Sequence, residues 1–467
     1  MTPRPNSLAA RGAQATLHGF SDPAVLRSEG ALPLVRGRGV FVEDESGRCY
    51  LDAMAGLWCA ALGFSGAPIE RLAEAARRQL ADLPFEHTFY GRSNPAVVDL
   101  CERLKAMAPM PTARVFLACS GSEANDTAVK LAWAWHAARG EPGRHLILAR
   151  DRAYHGSTVF AAGLTGLPAL HEAFGLPQPD TVVRLRTPWP RHEALKGEDE
   201  HAFVARLAAE LEDAIVAAGP GRVAAFIAEP IMGAGGVIIP PAGYFPVIQQ
   251  VLRRHGVLAI ADEVIGGFGR TGTTWSCQGL GFVPDIVTCA KALSAAVMPI
   301  SAVLVGERIW PDLETHFASL GVFGHGHTYS GHPVAAAVAV ETLKIYEEMD
   351  APARCKALGD HLLDGLRRRF QGHPFVGEIR GRGLLAAITL EADPARRIPF
   401  PKSARANARV AEAALAEGLM VRAAGAWNVA ISPPYTITEI EIDEALDRLA
   451  RALDAETPAL AEAARMA

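Results

Sequence analysis

Short apolar runs alternate with helical patterns through the middle of the chain. The runs predict strands at residues 114–118, 145–149, 223–228, 257–261, 285–289 and 301–305. Apolar residues at helical spacing predict helices over 122–139 and 201–217. Strands that alternate with helices in this way are typical of an α/β domain built around a mostly parallel sheet.

The pattern becomes more mixed towards the C-terminus. It predicts helices near 335–350 and 352–370, a strand at 383–391, a helix at 404–417 and a final helix from residue 439. Near the N-terminus, residues 39–56 predict a β-hairpin. We therefore expect an α/β fold with a large domain over 66–335 and a smaller α+β domain over 336–467, to which the N-terminal segment 1–65 also contributes.

Composition and charge exclude several classes of protein. The chain of 467 residues is long enough for two domains, and its net charge of −5 offers no basic surface for nucleic acid. The N-terminal stretch lacks the apolar core of a secretion signal, and the apolar runs are too short to cross a bilayer. We expect a cytoplasmic protein without nucleic-acid or membrane partners. The seven scattered cysteines contain no C-x-x-C pair, so we expect reduced thiols and no metal site.

A glycine motif after one predicted strand has the spacing of a dinucleotide-binding fingerprint. Gly267, Gly269 and Gly272 follow the strand at 257–261, but the next residues, TTWSCQGLGFVPD, show no helical period. Without a helix there is no N-terminus to receive a pyrophosphate group. The spacing alone therefore does not predict an NAD site.

Two predicted strands lead into residues that could carry chemistry. Asp262 follows the strand at 257–261, and Lys291 follows the strand at 285–289. Taken alone, such an aspartate usually caps a turn and such a lysine usually reaches solvent. Together they lie at the carboxyl ends of strands, where open α/β sheets bind ligands. A lysine can form a Schiff base with pyridoxal phosphate, and the ring nitrogen of that cofactor needs a carboxylate partner.

The stretch CSGSEANDTAVKLAW, residues 119–133, supplies a candidate phosphate site. Ser120 and Ser122 offer hydroxyl groups, Gly121 permits close approach of the backbone, and the N-terminus of the following helix favours a dianion. A serine-capped helix with an acidic first turn explains the same residues. The two explanations are compatible.

Several motifs occur together in one order along the chain. They are SGSEAND at 120–126, AYHGST, AEPIMGAGGVI, DEVIGGFGRTG at 262–272, Lys291, GHTYSGHP and GLMVRAAG. On these motifs the sequence resembles the class III, or ω-, aminotransferases, and within them the (S)-selective amine–pyruvate and β-alanine/polyamine–pyruvate subgroup. The resemblance implies a fold-type I enzyme that depends on pyridoxal 5'-phosphate. It would move an amino group from a primary amine or ω-amino acid to a keto acid such as pyruvate, by a ping-pong mechanism.

The resemblance also implies roles for residues around the cofactor. Lys291 would form the Schiff base and carry the proton, Asp262 would pair with the ring nitrogen, and Glu229 would lie close to that pair. Tyr154 and Val264 would pack on the two faces of the ring. Further contacts would come from Ser120, Gly121, Ser122, His155 and, across a subunit interface, Thr328. A purely structural role would suit His155 equally well.

For substrates, the resemblance implies one pocket that accepts an amine and then a keto acid. Arg422 would bind the carboxylate of the acceptor and move out when an uncharged group arrives. Trp58 would form a wall, and the small Ala234 would leave room. The partner subunit would contribute Phe89, Tyr90 and Arg92. The enzyme would then be an obligate homodimer with shared active sites, and whether dimers assemble into tetramers stays open.

The chain departs from the family at two positions, and other functions stay open at this point. Ala292 stands where glycine is common, and His327 stands where phenylalanine is common. A class III decarboxylase or aminomutase would use the same Lys291 and Asp262, although Trp58 and the context of Arg422 disfavour both. An NAD enzyme or a cofactor-free binding protein that uses the glycine loops is the alternative from another class.

Overall fold

The structure is a computed structural model that describes residue 4 and residues 6–466. The N-terminal part contains helices α1 and α2, an antiparallel arrangement of strands β1, β2 and β3, and a short kinked turn, α3. Their bounds are α1 Leu8–Ala15, α2 Pro23–Glu29, β1 Leu34–Arg38, β2 Phe41–Asp44, β3 Cys49–Asp52 and α3 Ala55–Trp58. Strands β2 and β3 confirm the hairpin predicted at 39–56.

The central part alternates helices and strands. The helices are α4 Ala67–Asp82, α5 Pro95–Met107, α6 Gly121–Ala138, α7 Val159–Leu164, α8 Pro190–Glu193, α9 Glu200–Ala218, α10 Tyr244–Arg254 and α11 Trp310–Leu320. The strands are β4 Thr112–Ala118, β5 Leu146–Arg150, β6 Val182–Leu185, β7 Val223–Ala228, β8 Leu258–Asp262, β9 Ile286–Cys289 and β10 Ser301–Gly306. Short 3-10 turns lie at Pro168–Leu170, Pro220–Arg222, Gln278–Leu280 and Lys291–Ser294.

Within the described residues, seven strands form the central sheet in the order β4-β10-β9-β8-β7-β5-β6. Neighbouring strands from β9 through β6 are parallel, and β10 is antiparallel to both β4 and β9. The carboxyl ends of β4, β5, β7, β8 and β9 therefore meet at one edge of the sheet. This confirms the expected α/β architecture with a mostly parallel sheet.

Both faces of the sheet are covered by helices, and alternate residues of each strand point to opposite faces. Leu258 and Ile260 of β8 pack with α6 and α11 in one apolar cluster, while Ala259 and Ala261 pack on the other face with α9 and α10. The same alternation places Ile286 of β9 on the α6 face. Every residue of β7, β8 and β9 is buried, which explains their continuous apolar runs.

The C-terminal part is a smaller α+β unit. Its elements are α12 Pro333–Glu348, α13 Ala351–Phe370, β11 Val376–Gly381, β12 Ala386–Asp393, β13 Ile398–Pro399, a 3-10 turn at Lys402–Ala404, α14 Ala406–Ala416, β14 Leu419–Met420, β15 Arg422–Ala424, β16 Asn428–Ile431 and α15 Glu439–Ala464. Strand β14 pairs in parallel with β3, so the N-terminal hairpin and the C-terminal chain share one sheet. The predicted domain boundaries stay predictions, and residues 1–3, 5 and 467 lie outside the described residues.

Strands β1, β6, β11 and β13 were not predicted, and two of them show the physical reason. Strand β6 lies at the edge of the central sheet and is only half-buried, so its sequence lacks the continuous apolar run of its neighbours. Strand β1 is almost entirely exposed.

None of the helices within the described residues combines the length and apolar character needed to span a bilayer. All seven cysteines are unpaired in the structure.

Candidate active site

Three predicted site residues at the ends of β7, β8 and β9 meet at the carboxyl edge of the central sheet. They are Glu229, Asp262 and Lys291. Asp262 is the last residue of β8. Alternate residues of a strand point to the same face, so its side chain lies on the face of Leu258 and Ile260, which α6 covers. The same alternation brings Thr288 of β9 to that face, directly beside Asp262 in the register of the two strands. This geometry places α6, which begins at Gly121, against the acid.

Three N–H donors hold the buried carboxylate of Asp262. His155 Nδ1 and Asn125 Nδ2 both donate to Oδ2 over 2.8 Å, and the Val264 backbone N–H donates to Oδ1 over 3.1 Å. Asp262 is only 4% exposed, so these bonds replace the water that burial removes. His155 thus lies behind the acid, and its buried Nε2 has no hydrogen-bond partner among the described residues.

Asn125 and Thr288 are parts of this arrangement that the sequence analysis missed. Asn125 Nδ2 also donates to the His155 carbonyl over 2.6 Å, and its Oδ1 accepts from Thr288 Oγ1 over 2.7 Å. Two signals in the sequence could have found them. Asn125 lies four residues after Gly121, hence on the same helix face, and Thr288 has the parity that faces α6.

Lys291 follows β9 and projects into the same region. Its backbone has φ +52°, a left-handed conformation that non-glycine residues rarely adopt and that clusters at functional sites. Its ammonium nitrogen lies 5.3 Å from the centre of the Trp58 ring. Burial lowers the pKa of Lys291 to about 8, although the negative charges of Asp262 and Glu229 act in the opposite direction. The amine is therefore partly unprotonated near neutral pH.

Glu229 follows β7 and ties two loops of the site together. Its Oε1 accepts from the Tyr154 backbone N–H over 3.0 Å, and its Oε2 accepts from the Gly233 backbone N–H over 2.9 Å. Burial raises the pKa of this carboxyl above its usual value, and the nearby Asp262 charge adds to the effect. Glu229 thus positions Tyr154 on one side and the loop that carries Ala234 on the other.

The predicted phosphate site lies at the start of α6. Ser120 caps the helix by accepting from the Glu123 N–H, while Glu123 accepts from the Ser120 N–H, which is the capping box expected from the sequence. A side chain at Gly121 would lie 3.0 Å from both methyl groups of Val264. The Ser122 hydroxyl accepts from the Ser157 N–H over 3.1 Å, and Gly156 leaves space for that hydroxyl. Glycines thus let the helix start approach the loops closely.

The predicted substrate residues Trp58, Ala234 and Tyr154 belong to one apolar cluster beside Lys291. Trp58 is 2% exposed and has φ +59°. The Arg422 guanidinium lies over its ring, 4.5 Å from the centre. Burial lowers the pKa of Arg422, and no carboxylate forms an ion pair with it among the described residues.

Four predicted site residues lie elsewhere in the subunit. Phe89, Tyr90 and Arg92 follow α4 in a segment that packs against residues 323–332. The Phe89 ring contacts Gly326, and Thr88 Oγ1 donates to the Ser330 carbonyl over 3.2 Å. Tyr90 is 93% exposed, and Thr328 is also exposed. Within one subunit, this surface and the Lys291 site are separate groups of residues.

The two departures from the family pattern cause no visible disruption. The positive φ near the lysine falls on Lys291 itself and not on Ala292, whose carbonyl accepts from the Tyr346 hydroxyl over 2.7 Å. His327 packs edge-on against His325, with ring centres 5.2 Å apart. Neither Ala292 nor His327 stands at a position whose side chain contacts Asp262 or Lys291.

These residues fit the needs of pyridoxal phosphate. The site offers a partly unprotonated amine for an aldehyde, a carboxylate with a fixed direction for a ring nitrogen, and a helix N-terminus with glycine-lined space for a phosphate group. The roles predicted for the individual residues remain predictions. The structure brings together all of them except Phe89, Tyr90, Arg92 and Thr328.

Comparisons with known proteins identify relatives that match nearly the whole chain. The family model described as "Aminotransferase class-III" matches residues 24–453. The ω transaminase from Pseudomonas jessenii in complex with PMP is 44% identical with a TM-score of 0.94, over 97% of this chain and 98% of that one. Gamma-aminobutyrate transaminase 1, mitochondrial, of Oryza sativa subsp. indica is 43% identical over 99% of this chain and 89% of its own length. Vanillin aminotransferase of Capsicum frutescens is 44% identical over 90% of this chain and 91% of its own length.

The lowered pKa of Lys291 predicts how the apoprotein takes up pyridoxal phosphate. Only the neutral amine attacks an aldehyde, and the folded-state pKa of about 8 lies below the usual lysine value. The rate of uptake should therefore rise about tenfold per pH unit below 8 and level off above it. Stopped-flow absorbance measures this rate. A rise that continues to pH 10 would contradict the lowered pKa.

Proposed function

The chain belongs to the class III aminotransferases, and we propose that it moves an amino group from a primary amine or ω-amino acid to pyruvate in an active site shared between two subunits. As a member of this family it transfers amino groups and depends on pyridoxal phosphate. The observation that carries the proposal is the position of Trp58. The amine that can do the chemistry, on Lys291, and a guanidinium that can bind a carboxylate, on Arg422, both lie over its ring.

The chain's own groups divide the chemical work. When bound, pyridoxal phosphate supplies an electron-withdrawing ring that makes a C–H proton of the attached amine acidic. Lys291 Nζ would remove this proton and return it to the carbon on the other side of the amine nitrogen, which suits an amine whose pKa lies close to the working pH. Asp262 holds a proton on the ring nitrogen through its negative charge. Glu229 keeps Tyr154 and the loop of Ala234 in place around the reacting atoms.

Arg422 is the group that suits a keto-acid acceptor. Its guanidinium is largely removed from water yet forms no ion pair with a carboxylate of the described residues, and it stacks on Trp58. A carboxylate that enters the pocket would give it two charge-assisted hydrogen bonds. When an amine without a carboxylate occupies the pocket, the Trp58 ring still stabilises the Arg422 guanidinium by a cation–π contact. One pocket can thus serve both half-reactions.

The relatives support the proposed range of donors. They include transaminases named for gamma-aminobutyrate, which carries a carboxylate, and an aminotransferase named for vanillin, which is an aromatic aldehyde. A cationic side chain beside an aromatic and apolar wall can accommodate both kinds of molecule. We therefore propose ω-amino acids and aromatic alkylamines as donors. None of the relatives reported above is named as a decarboxylase or aminomutase.

The proposed homodimer explains the exposed surface around Tyr90 and Thr328. Tyr90 adopts a left-handed conformation, φ +57°, while 93% exposed, and Tyr329 nearby is 61% exposed. Large aromatic groups that protrude from a monomer commonly mark a protein interface. In a dimer whose two-fold axis lies between this surface and the Lys291 site, Phe89 and Thr328 of each subunit would reach the Lys291 site of the other. We also propose a cytoplasmic location, which the unpaired cysteines suit.

Removal of the Arg422 guanidinium tests the acceptor. Arg422→Ala should raise the KM for pyruvate at least about tenfold, because a charge-assisted pair is lost, and change the KM for 1-phenylethylamine less than about threefold. Arg422→Lys, which keeps the charge but not the paired donors, should lie between. Steady-state kinetics with alanine quantified against the ketone product measure both constants. An equal rise for both substrates would contradict the assignment.

Hybrid dimers test the shared site. Lys291→Ala and Thr328→Glu homodimers should both be nearly inactive, the second because the new carboxylate repels the phosphate. Co-expressed with two different tags, the two variants should form hybrids with one intact site and about half of the wild-type activity. If each subunit completes its own site, both sites of the hybrid are defective and it stays inactive.

A further inference from the structure

Behind the predicted ring-nitrogen partner lies a buried side chain that belongs to the phosphate-binding helix. Asn125 is 1% exposed, and its carboxamide uses both kinds of polar group. Its nitrogen donates to Asp262 Oδ2 over 2.8 Å and to the His155 carbonyl over 2.6 Å. Its oxygen accepts from the hydroxyl of Thr288 over 2.7 Å. Every partner is complementary, so only one orientation of the amide satisfies all three partners.

The partners of the nitrogen determine that orientation. It must face Asp262 and the His155 carbonyl, because both can only accept. The hydroxyl of Thr288 is fully buried and donates to the oxygen, so it anchors the other end of the Asn125 amide. A reversed amide would place its oxygen against two other oxygens in a buried environment, where unpaired polar groups are costly. The hydroxyl on β9 therefore acts on the carboxylate of β8 through a side chain of α6.

The three hydrogen bonds leave one oxygen of the Asp262 carboxylate able to accept a further donor. Oδ2 of Asp262 already accepts from both Asn125 and His155, whereas Oδ1 accepts only from the Val264 N–H. Oδ1 is thus the oxygen with room for a further donor. Without Asn125, His155 alone would hold Oδ2, and the carboxylate could rotate about its own bond.

We propose that Asn125, anchored by Thr288, is a positioning residue that fixes the Asp262 carboxylate towards the ring nitrogen of the bound cofactor. This inference rests on the role of Asp262 in the proposed function. Because Gly121 and Ser122 begin the same helix turn that carries Asn125, one rigid turn determines both the predicted phosphate site and the direction of the acid. The cofactor would be held at its two ends by one element.

The test measures protonation of the bound cofactor instead of turnover. Purified enzymes loaded with ring-¹⁵N pyridoxal phosphate are titrated with acid and base, and the nitrogen NMR shift of the bound cofactor gives the pH midpoint at which its ring nitrogen loses a proton. Asn125→Ala and Thr288→Val should each lower this midpoint by about one pH unit or more, a tenfold loss of proton affinity. Thr288→Ser keeps the hydroxyl and should retain the wild-type midpoint. The other ionisable groups near Asp262 are the same in every variant; they are Tyr154, His155, Glu229, Cys289 and Lys291.

Comparison with Asp262→Ala and with the melting temperature separates a failure of the Asp262 role from a failure of the positioning role. Asp262→Ala should lower the midpoint more than any other variant, and if it does not, the proposed role of Asp262 fails. If Asp262→Ala lowers it while Asn125→Ala and Thr288→Val leave it at the wild-type value, the positioning role alone is overturned. A lower melting temperature of the apoprotein with an unchanged midpoint also overturns it, because packing then explains the variant. If Asn125→Ala does not fold, the isosteric Thr288→Val and its Thr288→Ser control decide.

Discussion

A buried carboxylate of fixed direction at the end of strand β8 is the constraint on which the rest of the site depends. Removing Asp262 from water is unfavourable unless donors replace the lost solvent, and three N–H groups from a helix, a loop and the next turn do so. Those donors exist only because α6, the 153–157 loop and the β8–β9 pair converge there. Lys291 obeys the complementary constraint, since burial lowers the pKa of its amine to about 8 and leaves a fraction of it unprotonated near neutral pH.

The fold brings these residues together through the direction of the strands and the alternation of side chains along each strand. Parallel strands bring several carboxyl ends to one edge, and the two-residue alternation sends Asp262 and Thr288 to the α6 face. Helix α6 begins beside Val264 because Gly121 has no side chain, so its N-terminus and Asn125 face the same space. Trp58, in the apolar wall, then brings Arg422 and Lys291 over one ring.

Much of this could be predicted from the sequence, and the reasons for the rest are physical. Buried parallel strands leave continuous apolar runs, so their ends, and with them Asp262 and Lys291, were predictable. Edge strand β6 lacks such a run and was missed. Asn125 and Thr288 have the composition of ordinary helix and strand residues, and only the three-dimensional pairing of β8, β9 and α6 reveals their bonds. The distant position of Phe89 and Thr328 cannot be explained within one chain, because their predicted role needs a second subunit.

The central claim is that Asp262 holds a proton on the ring nitrogen of the cofactor. Nitrogen NMR of the enzyme loaded with ring-¹⁵N pyridoxal phosphate observes that atom directly. The account predicts a protonated nitrogen in the wild-type protein at neutral pH and an unprotonated one in Asp262→Ala. An unprotonated nitrogen in the wild-type protein, or the same signal from both proteins, would contradict it.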